Sequence, residues 1–283
     1  MSKPRAVVVG GRGMLGRAVA ARLADGFEVS SWDLPEIDIT DRDGTLQRIA
    51  AAAPALVINC AALVDLEGCE RDPDRAWQVN AVGAGNVAAA AERCAATLFY
   101  LSSDYVFDGA TNGSYDEVAT ANPLNHYGRS KLAGEELSRA ACRRVCVVRS
   151  AWLFGHVAGN YVARVLRQAD AEGVVRMPAD QVESPTYCGH LASALLHLAR
   201  CGALGVVNVT GTGACTRARF AAEVLAQAGR EERVEVVDAA SAGRHARRPL
   251  RSVLDCRLYR LLTGHELPRW EAGIRAYLDA SSS

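Results

Sequence analysis

Short, mostly apolar runs alternate with longer Ala-rich stretches through the first half of the chain. The runs cover residues 6–9, 27–32, 56–59, 98–102 and 145–149. Apolar runs that do not alternate with polar neighbours predict strands covered on both faces, as in a parallel sheet. The intervening stretches, such as 14–24 and 74–95, are long enough for crossover helices. This βαβα rhythm predicts an α/β fold with a doubly wound parallel sheet. After Arg149 the rhythm loosens. Helical stretches at 161–171, 189–200 and 217–228 alternate with short strands at 174–176, 206–209 and 234–237. We read residues 1–150 as the sheet core and 151–283 as the last sheet strands plus a smaller lobe, the two forming one integrated unit.

Charge and cysteine content narrow the function class. The 283 residues carry 32 Lys plus Arg and 32 Asp plus Glu. A formal net charge of zero gives no electrostatic reason to expect a nucleic-acid or anionic-membrane partner. The apolar run that follows Met1-Ser2-Lys3-Pro4-Arg5 is ended by Gly10, which is too short for a signal-peptide core. No stretch approaches the ~20 apolar residues that span a bilayer. The nine cysteines are odd in number and scattered, with no Cys-x-x-Cys pair. They read as reduced thiols of a cytoplasmic protein rather than a disulfide framework or zinc site.

Gly10-Gly11-Arg12-Gly13-Met14-Leu15-Gly16 follows the first strand directly and opens a helix. Glycines at Gly10, Gly13 and Gly16 let the backbone approach a pyrophosphate, and the helix N-terminus then presents free N–H groups to it. The strand–loop–helix context predicts a Rossmann-type NAD(P) site. Asp33, at the end of the second strand, reads either as the acceptor for the adenosine ribose or as a turn residue before Pro35. As a ribose acceptor it favours NADH, because it repels a 2′-phosphate. Arg12 inside the loop pairs with such a phosphate and favours NADPH. The two signals oppose each other, and NADPH with tolerance of NADH is the expectation. Asp38 and Ile39 flank the adenine, or Asp38 belongs to the cap of the next helix.

Tyr127-Gly128-Arg129-Ser130-Lys131 carries the chemistry. Tyr127 and Lys131 are four residues apart and share one face of a helix. Reducing a carbonyl requires a proton donor for the oxygen that gains charge, and a neighbouring ammonium lowers the pKa of a phenol in that role. Lys131 is also suited to hold the nicotinamide ribose. Ser103, at the end of the fourth strand, lies where open α/β sheets place their ligands and can polarise the carbonyl. A glycine loop, a hydroxyl after the fourth strand and a Tyr/Lys pair, in that order, predict an oxidoreductase acting on a keto or hydroxyl group.

Longer segments carry a resemblance. They include Asn59-Cys60-Ala61-Ala62, Val79-Asn80-Ala81, Leu101-Ser102-Ser103-Asp104-Tyr105-Val106-Phe107-Asp108-Gly109 and Asn122 through Glu135. Arg149 through Gly155, Asp180 through Tyr187, Arg247-Arg248-Pro249 and Ser252-Val253-Leu254-Asp255 continue it. In this order they resemble the dTDP-4-dehydrorhamnose reductases, extended short-chain dehydrogenase/reductases of deoxysugar biosynthesis. The resemblance implies reduction of the 4-keto group of a nucleotide-linked 6-deoxyhexose. It implies Ser103, Tyr127 and Lys131 as catalytic residues. It implies that Gly10, Arg12, Gly13, Met14, Leu15, Gly16, Asp33, Asp38, Ile39, Cys60, Ala61, Ala62 and Ser102 line the cofactor. It implies that Ser103, Asp104, Tyr105, Trp152, Gln181 and Arg248 face the sugar nucleotide.

The chain departs from the family pattern at two places. Leu63-Val64-Asp65-Leu66-Glu67 stands where the family has Tyr-Thr-x-Val-Asp, and Glu183 stands where it has Gly. Both fall where the sugar is read, so a different nucleotide keto-sugar is the first alternative. A non-catalytic regulatory subunit, like that of methionine adenosyltransferase, is the second, and a sugar epimerase or dehydratase the third. Some of the family's reductases are dimers bridged by magnesium through a Glu two residues past the last loop glycine. Here that position is Ala18, after Arg17, so no metal is expected, and the chain is read as a monomer or a homodimer through another surface.

Overall fold

The computed structural model describes residues 3–157, 159–238 and 245–281. Six parallel strands form the main sheet: β1 (Arg5–Val9), β2 (Glu28–Trp32), β3 (Leu56–Asn59), β4 (Thr97–Ser103), β5 (Val145–Ser150) and β10 (Gly205–Asn208). Their order is β2-β1-β3-β4-β5-β10. The interior strands β3, β4 and β5 are buried almost throughout, which is why they read as unbroken apolar runs. β2 lies at an edge and is only half-buried, and it holds the polar Glu28, Ser30 and Ser31.

Helices cover both faces. On one, α1 (Met14–Leu23) and α8 (Cys188–Cys201) bury Leu15, Val19, Leu191 and Leu195 against Val8, Ile58 and Phe99. On the other, α2 (Arg42–Ala52) and α5 (Ala84–Arg93) bury Ile49, Val87 and Ala91 against Val7, Val57 and Tyr100. The long helix α6 (His126–Ala141) packs beside α5. The stretch 74–95 is not one helix. α3 (Leu66–Arg71) is followed by α4 (Pro73–Trp77), a π-helical segment Gln78–Gly83, and then α5. Asp72 caps α4 by accepting from the Arg75 N–H, with Pro73 in the first turn.

The second half divides its elements between sheet and lobe. β10 extends the main sheet beside β5, and α8 packs on α1. The lobe contains β6 (Leu153–Phe154), α7 (Tyr161–Glu172), β7 (Val174–Met177), β8 (Val182–Glu183) and β9 (Thr186–Tyr187). It continues with β11 (Cys215–Thr216), α9 (Arg217–Gln227) and β12 (Arg233–Val236). After α10 (Arg257–Thr263), which packs against α8 and β10, α11 (Trp270–Ser281) returns to it. Its core is Phe154, Val165, Phe220, Val224, Trp270 and Ile274. Its strands pair locally as β7 with β12, β8 with β11 and β6 with β9. Among the described residues, no helix is long and apolar enough to cross a membrane.

One buried ion pair ties α6 to the sheet. Arg149 of β5 grips Glu135 of α6 through Nε at 2.9 Å and Nη2 at 2.7 Å. The Ser102 hydroxyl of β4 donates to the same carboxylate. Removing one member leaves the other charge buried without its partner, which costs about 3–5 kcal/mol, whereas removing both together costs far less. Arg149→Met is therefore expected to lower stability by about that amount in urea unfolding. Arg149→Met with Glu135→Leu should recover most of the loss.

Candidate active site

The C-terminal ends of the parallel strands open into a cleft with two halves. The larger half encloses about 390 Å³ and is lined by Gly13–Gly16, Cys60, Ala62, the β4 exit, Tyr127, Lys131, Trp152, Glu183 and Arg217. The smaller, about 220 Å³, is lined by Gly10, Asp33, Asp38, Ile39, Ala61 and Val79. Gly13, Cys60 and Ala62 border both, so the two halves meet at the glycine loop.

The loop is built for a close-fitting ligand. Gly10 has φ +77°, and a Cβ there would fall 2.5 Å from the Ala61 N atom. A Cβ on Gly16 would fall 2.1 Å from the Gly10 carbonyl oxygen. Gly13 caps α1 with no side-chain hydrogen bond, so no side chain occupies the first-turn amides. This bare cradle beside the cleft fits a dinucleotide pyrophosphate. In the smaller half, Asp33 accepts from the backbone N–H groups of Arg12 and Leu34, and Asp38 accepts from Thr40. Arg12 lies outside the lining of either half. Its guanidinium donates to the Leu34 carbonyl at 2.8 Å and pairs with Glu36.

The exit of β3 is anchored by a residue that motif reading quoted without assigning it a task. Asn80, in the π-helical segment, accepts from the Leu63 N–H at 2.7 Å and donates to the Leu63 carbonyl and to Ser130 of α6. A π-helical turn presents its side chains out of the usual register and often marks a functional site. Here it staples the Ala61–Leu63 floor of the cleft to the helix that carries Tyr127.

α6 begins at the cleft. Asn125 caps it by accepting from the Gly128 N–H at 2.7 Å, and Glu70 takes the His126 N–H at 2.7 Å. A Cβ on Gly128 would lie 2.1 Å from the Tyr105 carbonyl oxygen, and one on Gly134 would lie 2.2 Å from the Tyr100 hydroxyl. These glycines let the helix press on β4 and its exit. Tyr127 then reaches Ser103, whose hydroxyl accepts from the Tyr105 N–H and donates to Asp104 at 3.1 Å.

The electrostatics follow from burial. The Tyr127 phenol is pushed well above its usual pKa by desolvation, and hydrogen bonding with Ser103 only partly offsets this. This corrects the expectation of a phenol lowered by Lys131. The Lys131 ammonium instead donates to the Leu101 carbonyl at 2.6 Å and sits 4.3 Å from the Tyr100 ring centre. Burial lowers Lys131 to about 8, against the pull of Glu135. Asp104 is pushed above the usual carboxylate range, first by burial and then by the facing Glu183 carboxylate. The Tyr127 phenol thus keeps its proton at neutral pH, a suitable state for donating it to a carbonyl oxygen.

Trp152 lines the cleft with φ +37°, a left-handed conformation that bulky residues rarely adopt, held by packing on Tyr161 and Phe220. Two residues expected at the sugar lie elsewhere. Gln181 is buried behind the cleft, where its Oε1 accepts from Arg217 Nε at 3.3 Å, so it supports a lining residue instead of lining. Arg248 turns to Glu67 of α3, with Nη2 at 3.3 Å from Oε1. The other Glu67 oxygen takes the N–H groups of His245 and Ala246, which holds this loop on α3.

A sequence model of the RmlD substrate binding domain matches residues 4–283. The chain belongs to the RmlD family. It is 36% identical over 287 residues to dTDP-4-dehydrorhamnose reductase of Mycobacterium tuberculosis, covering 99% of this chain and 94% of that one. It is 31% identical over 280 residues to the spore coat polysaccharide biosynthesis protein SpsK of Bacillus subtilis, covering 99% and 98%. The crystal structure of dTDP-4-dehydrorhamnose reductase from Bacillus anthracis in complex with NADP superposes with a TM-score of 0.95 at 31% identity, covering 98% and 99%.

In this RmlD-family chain, both segments that depart from the family pattern lie in the cleft wall, and sequence reasoning missed only their partner Arg217. Val64 and Leu66, from the first departing segment, line it and make that wall apolar. Glu183, from the second, lies in it almost fully buried, paired with Arg217. No motif marks Arg217, because only the pairing of β8 with β11 brings it there.

Lys131 supplies a pH test. Its positive charge is lost as pH rises through about 8. The kcat/KM for carbonyl reduction, which reports the free enzyme, should fall across that range. Lys131→Arg, slower at every pH, should lack that limb because a guanidinium stays charged. A flat wild-type profile from pH 7 to about 9.5 would contradict the assigned role.

Proposed function

We propose that this chain is an NADPH-dependent reductase that converts the 4-keto group of a nucleotide-linked 6-deoxyhexose to a hydroxyl. The observation that carries the reading is the convergence of Ser103, Tyr127 and Lys131 on one cleft that runs into the bare glycine loop. The family membership and the rhamnose-reductase relatives, one of them solved with NADP, support it.

When bound, the nicotinamide cofactor supplies the hydride. The chain does the rest. Gly10, Gly13 and Gly16 admit the pyrophosphate, with Met14 and Leu15 in the first turn behind it. Asp33, Asp38 and Ile39 form the adenosine end, and Cys60, Ala61, Ala62 and Ser102 the floor. Tyr127 gives its proton to the carbonyl oxygen as that oxygen gains charge. Ser103 hydrogen-bonds the same oxygen and polarises it. Lys131 holds the nicotinamide ribose. Asp104, Tyr105 and Trp152 contact the sugar. The phenol's raised pKa in the free chain keeps the proton in place until charge develops.

The test is NADPH consumption with dTDP-, UDP- and GDP-linked 4-keto-6-deoxyhexoses, with product configuration read by NMR. At least one should be reduced with one NADPH consumed per product, and failure of all would overturn the reading. Tyr127→Phe should keep the fold and NADPH binding, and should slow turnover by about 10²–10⁴-fold. A near wild-type rate for that variant would refute the proton-donor role. For NADPH to be preferred, Arg12 must exchange Glu36 for the 2′-phosphate. Arg12→Ala should then raise the KM for NADPH and leave that for NADH little changed. Equal effects on both would show that Arg12 does not read the phosphate.

A further inference from the structure

We propose that Glu183 and Arg217 together read a neutral hydroxyl on the sugar ring, and so exclude substrates that carry hydrogen or a charged group at that position. The inference rests on the reading of the chain as a nucleotide-sugar reductase.

The pair is assembled by the lobe. Glu183 ends β8, and the β8–β11 register sets it opposite Cys215, two residues before Arg217 at the start of α9. Arg217 Nη2 lies 3.4 and 3.2 Å from the two Glu183 oxygens, and its Nε donates to Gln181. The guanidinium carbon sits 4.7 Å from the Trp152 ring centre. The two side chains are 2% and 12% exposed, yet both border the cleft that holds Ser103 and Tyr127. A buried ion pair is a poor source of stability, since well-packed apolar residues serve as well or better. Its position in the cleft wall gives it another use.

The charges decide what that use is. Glu183 and Arg217 neutralise each other. A ligand ammonium or carboxylate is attracted by one member and repelled by the other, so the pair gives it no net charge to offset the cost of taking it out of water. A hydroxyl donates to the carboxylate and accepts from the guanidinium at once. A ring carbon without a hydroxyl leaves both groups facing an apolar surface, which costs binding free energy. Tyr105 connects this reader to the chemistry. Its hydroxyl donates to Glu183 at 3.3 Å, and its ring stands edge-on to Tyr127 at 6.0 Å. A sugar held by the pair is thereby held in register with the phenol.

The experiment uses nucleotide keto-sugars matched except for a hydroxyl, hydrogen or amino group on the ring carbons beside the keto carbon. Wild type, Glu183→Gln, Arg217→Gln and the double variant Glu183→Leu/Arg217→Met are compared by kcat and KM. Calorimetry measures affinity for the corresponding reduced nucleotide sugars. Wild type should prefer the hydroxylated sugar by about 10- to 100-fold. All three variants should compress that preference to about threefold or less, chiefly through KM. The double variant keeps the wall filled and carries the test should a single substitution prevent folding. Variants that retain the wild-type preference would overturn the inference, as would a wild type that accepts the amino or deoxy sugar equally. A wild type that reduces no nucleotide keto-sugar overturns the underlying reading instead. In that case a calorimetric preference for the hydroxylated sugar, lost in the variants, still supports the pair's role, and equal affinities sink it.

Discussion

The site depends on how closely α6 lies against β4 and its exit. At Gly128 and Gly134 there is no room for even one methyl group, since a Cβ would sit within 2.3 Å of backbone or side-chain oxygens. Any larger residue forces the helix outward. That displacement would carry Tyr127 away from Ser103 and Lys131 away from Leu101 together, because both side chains leave the same helix face. Asn80 and the Glu135–Arg149 pair hold the same helix from two further sides, one through the π-helical segment and one through β5.

Burial on this scale determines where the protons rest. The phenol and Asp104 are desolvated, so their neutral forms are favoured, while the ammonium of Lys131 keeps its charge with help from Glu135 and a carbonyl oxygen. The phenol thus holds its proton and Lys131 its charge before any ligand arrives. Such groups need little reorganisation as charge develops on a substrate oxygen, and electrostatic stabilisation of the transition state relies on that economy of motion.

Much of the fold was legible because its signals are local. The β1 and β3–β5 runs are apolar because those strands are covered on both faces, and the glycine spacing reflects a loop with no room for Cβ atoms. The stretch 74–95 was read as a single helix because a π-helical turn has no hydrophobic period of its own. Gln181 and Arg248 were placed at the sugar because their segments match the family. Their side chains instead serve Arg217 and Glu67, partners 36 and 181 residues away in sequence. Arg12 was read as a free cation for a phosphate, and its pairing with Glu36 depends on how the β2 exit folds back on the loop.

By itself the sequence determined the α/β class and the glycine cradle, and it singled out Ser103, Tyr127 and Lys131 as candidates for one chemical set. Each of these follows from period, steric size or functional group within one short segment. Only the tertiary structure decided which protons those groups carry, since desolvation depends on everything packed around them. It also decided what lines the cleft from the lobe. Glu183 and Arg217 meet because two-residue strands pair across the chain, and Val64 and Leu66 line the cleft beside them. Nothing within either segment signals the other, because a contact between distant residues is set by the packing that closes the chain, and sequence proximity does not record it.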